Sequence, residues 1–325
     1  MALILPDNAD FVFAFLGAIR AGIVPVPVRF RHEGEGRMTF IDFARSHGVE
    51  IKDLFASQKI RRCPTTAHPR SDNGAYLWDG HRGWVMSWDG DGQVHWFDDP
   101  NAKPWTDAEK AALARQQRQR ADEIARKNER AALQAQMMLA TASAGEHDYL
   151  IRKGLPKAQG LILPDGELFV PMRSLANNEL RGGQVIRWSS EERKWEKKMV
   201  PGMKAKGAVL RLGPKSARET WLCEGYATGL SIEIAANLLR LSAAVLVCFS
   251  DSNMAFVAGL LRDAPGRRFV FADNDASGAG ERAAVATGLP YCMSDAVGED
   301  ANDLHTRAGL TVVASRMMAV RQGAP

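Results

Sequence analysis

The chain has 325 residues, 42 Lys and Arg against 38 Asp and Glu, a net charge of +4, a hydrophobic fraction of 46% and a charged fraction of 25%. That composition excludes a disordered tail, a collagen and a membrane bundle, and it leaves apolar residues for one or two cores. Four scattered cysteines (Cys63, Cys223, Cys248, Cys292), none at CxxC spacing, suit a cytoplasmic protein. The only signal-like stretch, Phe11 to Val28, follows acidic residues and is broken by Arg20, so no membrane association is expected.

In chain order, Ala2 to Leu5 reads as a strand, Asp10 to Ala21 as a helix stopped by Gly22, and Ile23 to Val28 as a strand carrying two prolines. This stretch resembles a strand–helix–strand fragment of AMP-forming acyl-CoA synthetases. The Ser/Thr/Gly-rich phosphate loop of those ligases is absent, so residues 1–29 are expected to be a fused leader without adenylating activity. Residues 30–104 are a different unit. Thr39 to Ser46 and Ile51 to Ala56 read as short helices. Trp78, Trp84, Trp88 and Trp96, separated by Asp-Gly turns, predict a meander of short strands. Five of the eight tryptophans lie between 78 and 105, and they are expected to form most of this small domain's core.

Residues 105–144 are rich in Ala, Gln, Arg and Glu. Thr106 and Glu109 form a capping-box pattern, and a single long, mostly solvated helix is expected over 106–141. From His147 the chain turns α/β. Leu168 to Met172 and Gln184 to Trp188 are strand-like, with Asp165-Gly166 and Gly182-Gly183 as turns. Between Arg181 and Arg218 stand eleven Lys and Arg against three Glu, a net of +8, whereas the rest of the chain from Glu219 carries −4. The small total therefore conceals a basic segment (145–218) beside an acidic one (219–325).

The last third alternates apolar strand-like runs (Thr220 to Cys223, Ala244 to Phe249, Arg268 to Ala272) with helical ones, which predicts a parallel, doubly wound sheet. Ligands bind such sheets at the carboxyl ends of the strands. Glu224 directly follows one strand, Asp273 and Asp275 follow another, and Asp300 and Asp303 lie after a third near Leu289 to Met293. Asp273 and Asp275 are two apart, so in extended backbone both carboxylates point the same way. At about 4 Å and an effective dielectric near 20, two such charges repel by about 4 kcal/mol, which a proton or a divalent cation must offset. An oxygen-only donor set suits Mg²⁺ or Mn²⁺ and points to phosphoryl or nucleotidyl transfer.

The segments CEGYATGLSIEIAANL, FVFADNDASGAGERAA and GEDANDLH resemble the Toprim domain of phage- and plasmid-type primases, which are similar to bacterial-type replicative primases. HDYLIRKGL, LFVPMRS and MVPGMKAKGAVLRLG resemble the small subdomain that precedes Toprim in those proteins, and the likeness extends over roughly residues 37–325. It implies an α/β Toprim domain preceded by a small α/β subdomain, a long helix and a small aromatic-rich β domain. It further implies a DNA primase that makes short RNA primers on single-stranded DNA from nucleoside triphosphates, with a separate replicative helicase as partner. Glu224, Asp273, Asp275, Asp300 and Asp303 are then the metal-ligand candidates, the first three also catalytic. Lys204, Lys206, Arg211, Arg152 and Lys153 are the candidates for triphosphate and template phosphates. Thr228 departs from the pattern, because bacterial-type primases carry an Asp four residues after the motif Glu. Zinc is not expected, since Cys63, His68, His81 and His95 have no ligand spacing. A Toprim nuclease and a catalytically degenerate DNA-binding replication protein are the alternatives.

Overall fold

The computed structural model describes residues 38–90, 92–99 and 106–323, and the elements expected within residues 1–29 lie outside them, as does Trp105. The chain divides into two compact units, Met1–Asp107 and Ala108–Pro325.

The first unit begins with helix α1 (Phe40–Ser46). Thr39 caps it, and Thr39 and Asp42 exchange side-chain and backbone hydrogen bonds in a capping box. Four antiparallel strands follow in sheet order β1-β2-β3-β4: Ser57–Cys63, Gly74–Trp78, Arg82–Ser87 and His95–Asp98. The expected meander is present. The helix expected over Ile51 to Ala56 is not; that stretch is irregular. Six residues barely nucleate a helix, Ile51 is drawn into the core, and the Asp53 carbonyl accepts a hydrogen bond from the Tyr76 hydroxyl at 3.1 Å. The expectation for the tryptophans also fails. The core consists of Phe40, Ala44, Val49, Ile51, Cys63, Tyr76 and Val85. Trp78 stacks on Phe40 at 4.5 Å, but Trp96 is 72% exposed and Trp88 48% exposed, with the Arg62 guanidinium over the Trp88 ring. Inward positions on β3 fall to Gly83, Val85 and Ser87, so Trp84 alternates to the other face.

Helix α2 (Asp107–Thr141) belongs, from Ala108 on, to the second unit. The long helix is as expected, but its end is docked. Ala131 and Ala135 are buried against Leu163, Phe169 and Val200, where small side chains let the helix approach the sheet. After β5 (Ser143–Gly145), the short helix α3 (Asp148–Arg152) leads into β6 (Gly160–Ile162), β7 (Leu168–Ser174), β8 (Leu180–Ser189) and β9 (Lys194–Met199), all antiparallel. Gly182 and Gly183, expected at a turn, lie inside β8. A Cβ at Gly183 would run into the Phe169 ring, and one at Gly182 would meet Met203 Sδ at 2.7 Å. The glycines are there for close packing and not for chain reversal.

Strand β10 (Ala208–Leu212) joins two sheet regions. Ala208 and Val209 pair with β7, and Leu210 to Leu212 pair with β12. Beyond it lies the expected parallel array: β11 (Glu219–Cys223), β12 (Ala243–Val247), β13 (Arg267–Phe271) and β14 (Tyr291–Cys292), in spatial order β14-β13-β11-β12. Helices α4 (Tyr226–Leu238), α7 (Ala301–Ala308) and α8 (Leu310–Arg321) pack on one face around Trp221, Val245 and Phe271. Helices α5 (Asp251–Leu260) and α6 (Ala279–Thr287) pack on the other around Leu222, Leu246 and Val270. This is a mixed α/β unit with helices on both faces of its parallel part. From β11 the chain adds β12 on one side and β13 on the other, so the order reverses between β11 and β13.

Candidate active site

An open parallel sheet leaves a crevice at the carboxyl ends of its strands where the order reverses. Glu224 follows β11 and Asp273 stands two residues beyond β13, so both flank that crevice. A third acid, Asp251, comes from the end of β12. There the chain turns through Phe249, which adopts the left-handed backbone (φ 64°), and Ser250 caps α5, leaving Asp251 as its first residue. Phe249 N–H donates to the Glu224 carbonyl at 2.9 Å, which ties the ends of β11 and β12 together. A fourth, Asp300, caps α7. Its Oδ1 accepts from the Asn302 and Asp303 N–H groups at 2.7 and 2.9 Å, and its Oδ2 accepts from Thr228 Oγ1 at 2.8 Å.

The charges of these acids act on one another. Burial, then the Asp251 carboxylate facing it, pushes Glu224 up to about 7. Burial, then the charges of Asp300, Glu224 and Asp251, pushes Asp273 up to about 7. The Lys197 ammonium on β9 acts in the opposite direction on both. Asp273 Oδ1 and Asp251 Oδ1 are buried without a hydrogen-bond partner.

Asp275 and Asp303 are placed differently. Asp275 is captured by the loop that follows it. Its Oδ1 accepts from the Ser277 hydroxyl and from Ser277 and Ala279 N–H, and its Oδ2 accepts from Gly280 N–H at 2.7 Å. The Ser277 hydroxyl and the Gly280 and Ala279 N–H groups hold it well below the usual carboxylate range. Its charge still bears on Glu224. Asp303 completes a capping box with Asp300 and pairs with the Lys153 ammonium at 3.2 Å.

The basic candidates are dispersed. Lys153 stands beside Asp303, and Arg152 covers the Trp188 ring at 5.0 Å. Lys206 lies 4.6 Å over the Phe256 ring, Lys204 is exposed, and burial lowers the pKa of the half-buried Arg211 on β10. Sequence reasoning missed Asp251 and Lys197. Asp251 follows an apolar strand as Glu224 and Asp273 do, and that signal was available. Lys197 shares a strand face with Trp195, which only the β8–β9 register shows.

Among the described residues, no three His, Cys, Asp or Glu side chains stand close enough together to hold one ion. The donor chemistry nevertheless fits a hard divalent cation. Two orphaned carboxylate oxygens, on Asp251 and Asp273, lie among acids that repel each other. Mg²⁺ needs only one or two carboxylates when water and phosphate complete its shell. No helix among the described residues is long and apolar enough to cross a membrane.

No family model matches the chain, and no curated protein matches it. Solved structures do. The primase fragment of the bacteriophage T7 primase–helicase protein covers 80% of this chain and 98% of its own, at 14% identity and a TM-score of 0.36. One chain of the structure of the bacteriophage T7 lagging-strand DNA polymerase interacting with primase domains of two gp4 subunits bound to an RNA/DNA hybrid and dTTP aligns over 56% of this chain and 93% of its own. The identity there is 15% and the TM-score 0.38. The Aquifex aeolicus primase, comprising zinc-binding and RNA polymerase domains, aligns over 59% of this chain and 46% of its own, at 13% identity and a TM-score of 0.36. At these scores the likeness extends neither to site residues nor to activity.

Proposed function

We propose that the chain is a primase-like nucleotidyltransferase that joins nucleoside triphosphates into short RNA on single-stranded DNA. The observation that supports it best is the convergence of Glu224, Asp251 and Asp273 from the ends of three parallel strands, with Asp300 from the α7 N-terminus. The Toprim-like order of Glu224, Asp273 with Asp275, and Asp300 with Asp303 supports the same reading. Asp251 and Asp273, each with a buried carboxylate oxygen that has no partner, would hold Mg²⁺ or Mn²⁺ together with water and phosphate, with the Glu224 carboxylate beside them. When bound, the ion supplies counter-charge for the phosphate oxygens on which transfer occurs.

The chain's own residues do the rest. Thr228 and the α7 backbone orient Asp300, so this carboxylate keeps its place without a cation. Asp275 clamps the loop from 277 to 280 and so fixes the backbone beside Asp273. Lys197 brings positive charge to the edge of the acid group, where a triphosphate would need it. Lys204, Lys206 and Arg211, on the same basic segment of the sequence, are the further candidates for template or triphosphate. Incubating the protein with single-stranded DNA, labelled nucleoside triphosphates and Mg²⁺ tests the reading. RNA oligomers are expected, whereas cleaved DNA would show a nuclease and no product a non-catalytic binder.

A further inference from the structure

Trp188 near the end of β8 and Trp195 on β9 meet edge to face at 5.3 Å and form a wall. The surfaces on its two sides have opposite charge. On one side a cavity of about 860 Å³ is lined by Glu146, Asp148, Asp165, Glu167, Glu191 and Glu196, with Arg187 as its one Lys or Arg. On the other, a cavity of about 590 Å³ opens between the β8–β9 hairpin and α7, lined by Arg152, Lys153, Arg193, Lys194 and Arg307 together with Trp188.

The only carboxylates in the second cavity's lining, Glu299 and Asp303, are already engaged by Arg307 and Lys153. Arg152 and Arg193 have no carboxylate partner among the described residues. Trp188 is 41% exposed, and Arg152 lies 5.0 Å from its ring centroid. Such a cavity attracts anions, offers a flat aromatic surface, and has no free acid for the metal that accompanies a triphosphate. Phosphodiesters carry one charge per nucleotide and need no such metal, and bases stack on exposed indoles irrespective of sequence.

We propose that this cavity holds a single-stranded nucleic acid chain, with a base on Trp188 and phosphates against Arg152 and Arg193. The proposal rests on the nucleotidyltransferase reading for its context, because Asp303 joins the cavity to the acid site. The acidic cavity behind the tryptophan wall repels phosphate and confines the strand to the α7 side.

The test is binding of a labelled single-stranded oligothymidylate to the full chain in EDTA, with wild type, Trp188→Ala and Arg193→Glu compared over a salt series. Both side chains are exposed, and melting curves check that each variant stays folded. Trp188→Ala is expected to weaken binding by about five- to a hundredfold. Arg193→Glu is expected to weaken binding and to reduce the log–log salt slope by about 0.7 for each phosphate that the variant leaves unneutralised. Wild-type affinity in both variants, or no strand binding by wild type, would overturn the proposal. So would variants that lose ATP binding while keeping the strand, which would reassign the cavity to free nucleotide. Because EDTA removes any catalytic metal, these outcomes are independent of primer synthesis, which is assayed separately on the wild-type chain.

Discussion

Thr228 donates a hydrogen bond from Oγ1 to Asp300 Oδ2 at 2.8 Å, and it is fully buried. The position four residues after Glu224 therefore holds a donor that braces another acid of the same site. Thr228→Val removes the donor with almost no change of shape. It is expected to cost about 1.5–3 kcal/mol in urea unfolding, as for a hydrogen bond to a charged group. Asp300 is one of the charges that bear on Asp273, so Mg²⁺ affinity is expected to fall as well. Unchanged stability and metal affinity would show that the contact is incidental.

The acid group also sets a pH dependence. Glu224 and Asp273 move from ordinary values of 4.5 and 3.8 up to about 7, so between roughly pH 4 and pH 7 the folded chain binds more protons than the unfolded one. Their contribution is present in full below pH 4 and is lost as pH rises through about 7. Asp275 has the opposite sign, and its contribution is lost only in strong acid. Metal-free protein should lose stability from pH 5 to pH 8, and Mg²⁺ should raise the melting temperature more at pH 8 than at pH 5. Melting curves with and without Mg²⁺ at the two pH values check this.

Lys197 lowers the titration of both Glu224 and Asp273. With Lys197→Ala, both carboxyls should titrate higher, and nucleotide binding should weaken as well. Carbon-labelled carboxyl NMR reads the first effect, and nucleotide titration the second. A merely structural lysine would change neither.

The chemistry of the site was more legible in the sequence than its geometry. Glu224 and Asp273 were readable because each follows a short apolar run, and a parallel sheet exposes that end of each strand. Asp251 escaped because Ser250-Asp251-Ser252 looks like a helix start, which it also is. Lys197 was hidden within a run of charges, since only the pairing of β9 with β8 decides what lies beside each of them. The tryptophans mislead because they are the largest apolar side chains of the segment, whereas the inner face of β3 goes to small residues and Val85.

Gly183 serves close packing inside β8 and does not reverse the chain, and that role is testable. Its partner on β7 is Pro171, and the Phe169 ring lies where a Cβ would project. Gly183→Ala is expected to destabilise the chain by about 1–3 kcal/mol through overpacking. A turn glycine without positive φ would tolerate the change, so denaturant unfolding distinguishes the two roles.

The most direct measurement is primer synthesis by wild type and Asp273→Asn on single-stranded DNA with labelled nucleoside triphosphates, in Mg²⁺ and in EDTA. Asp273 is buried among like charges, so the amide should leave the fold at least as stable without metal, which melting curves verify. RNA oligomers are predicted from wild type in Mg²⁺ alone, and none from the folded variant. Equal synthesis by Asp273→Asn, or no RNA from wild type, would contradict the assignment of these acids to nucleotidyl transfer.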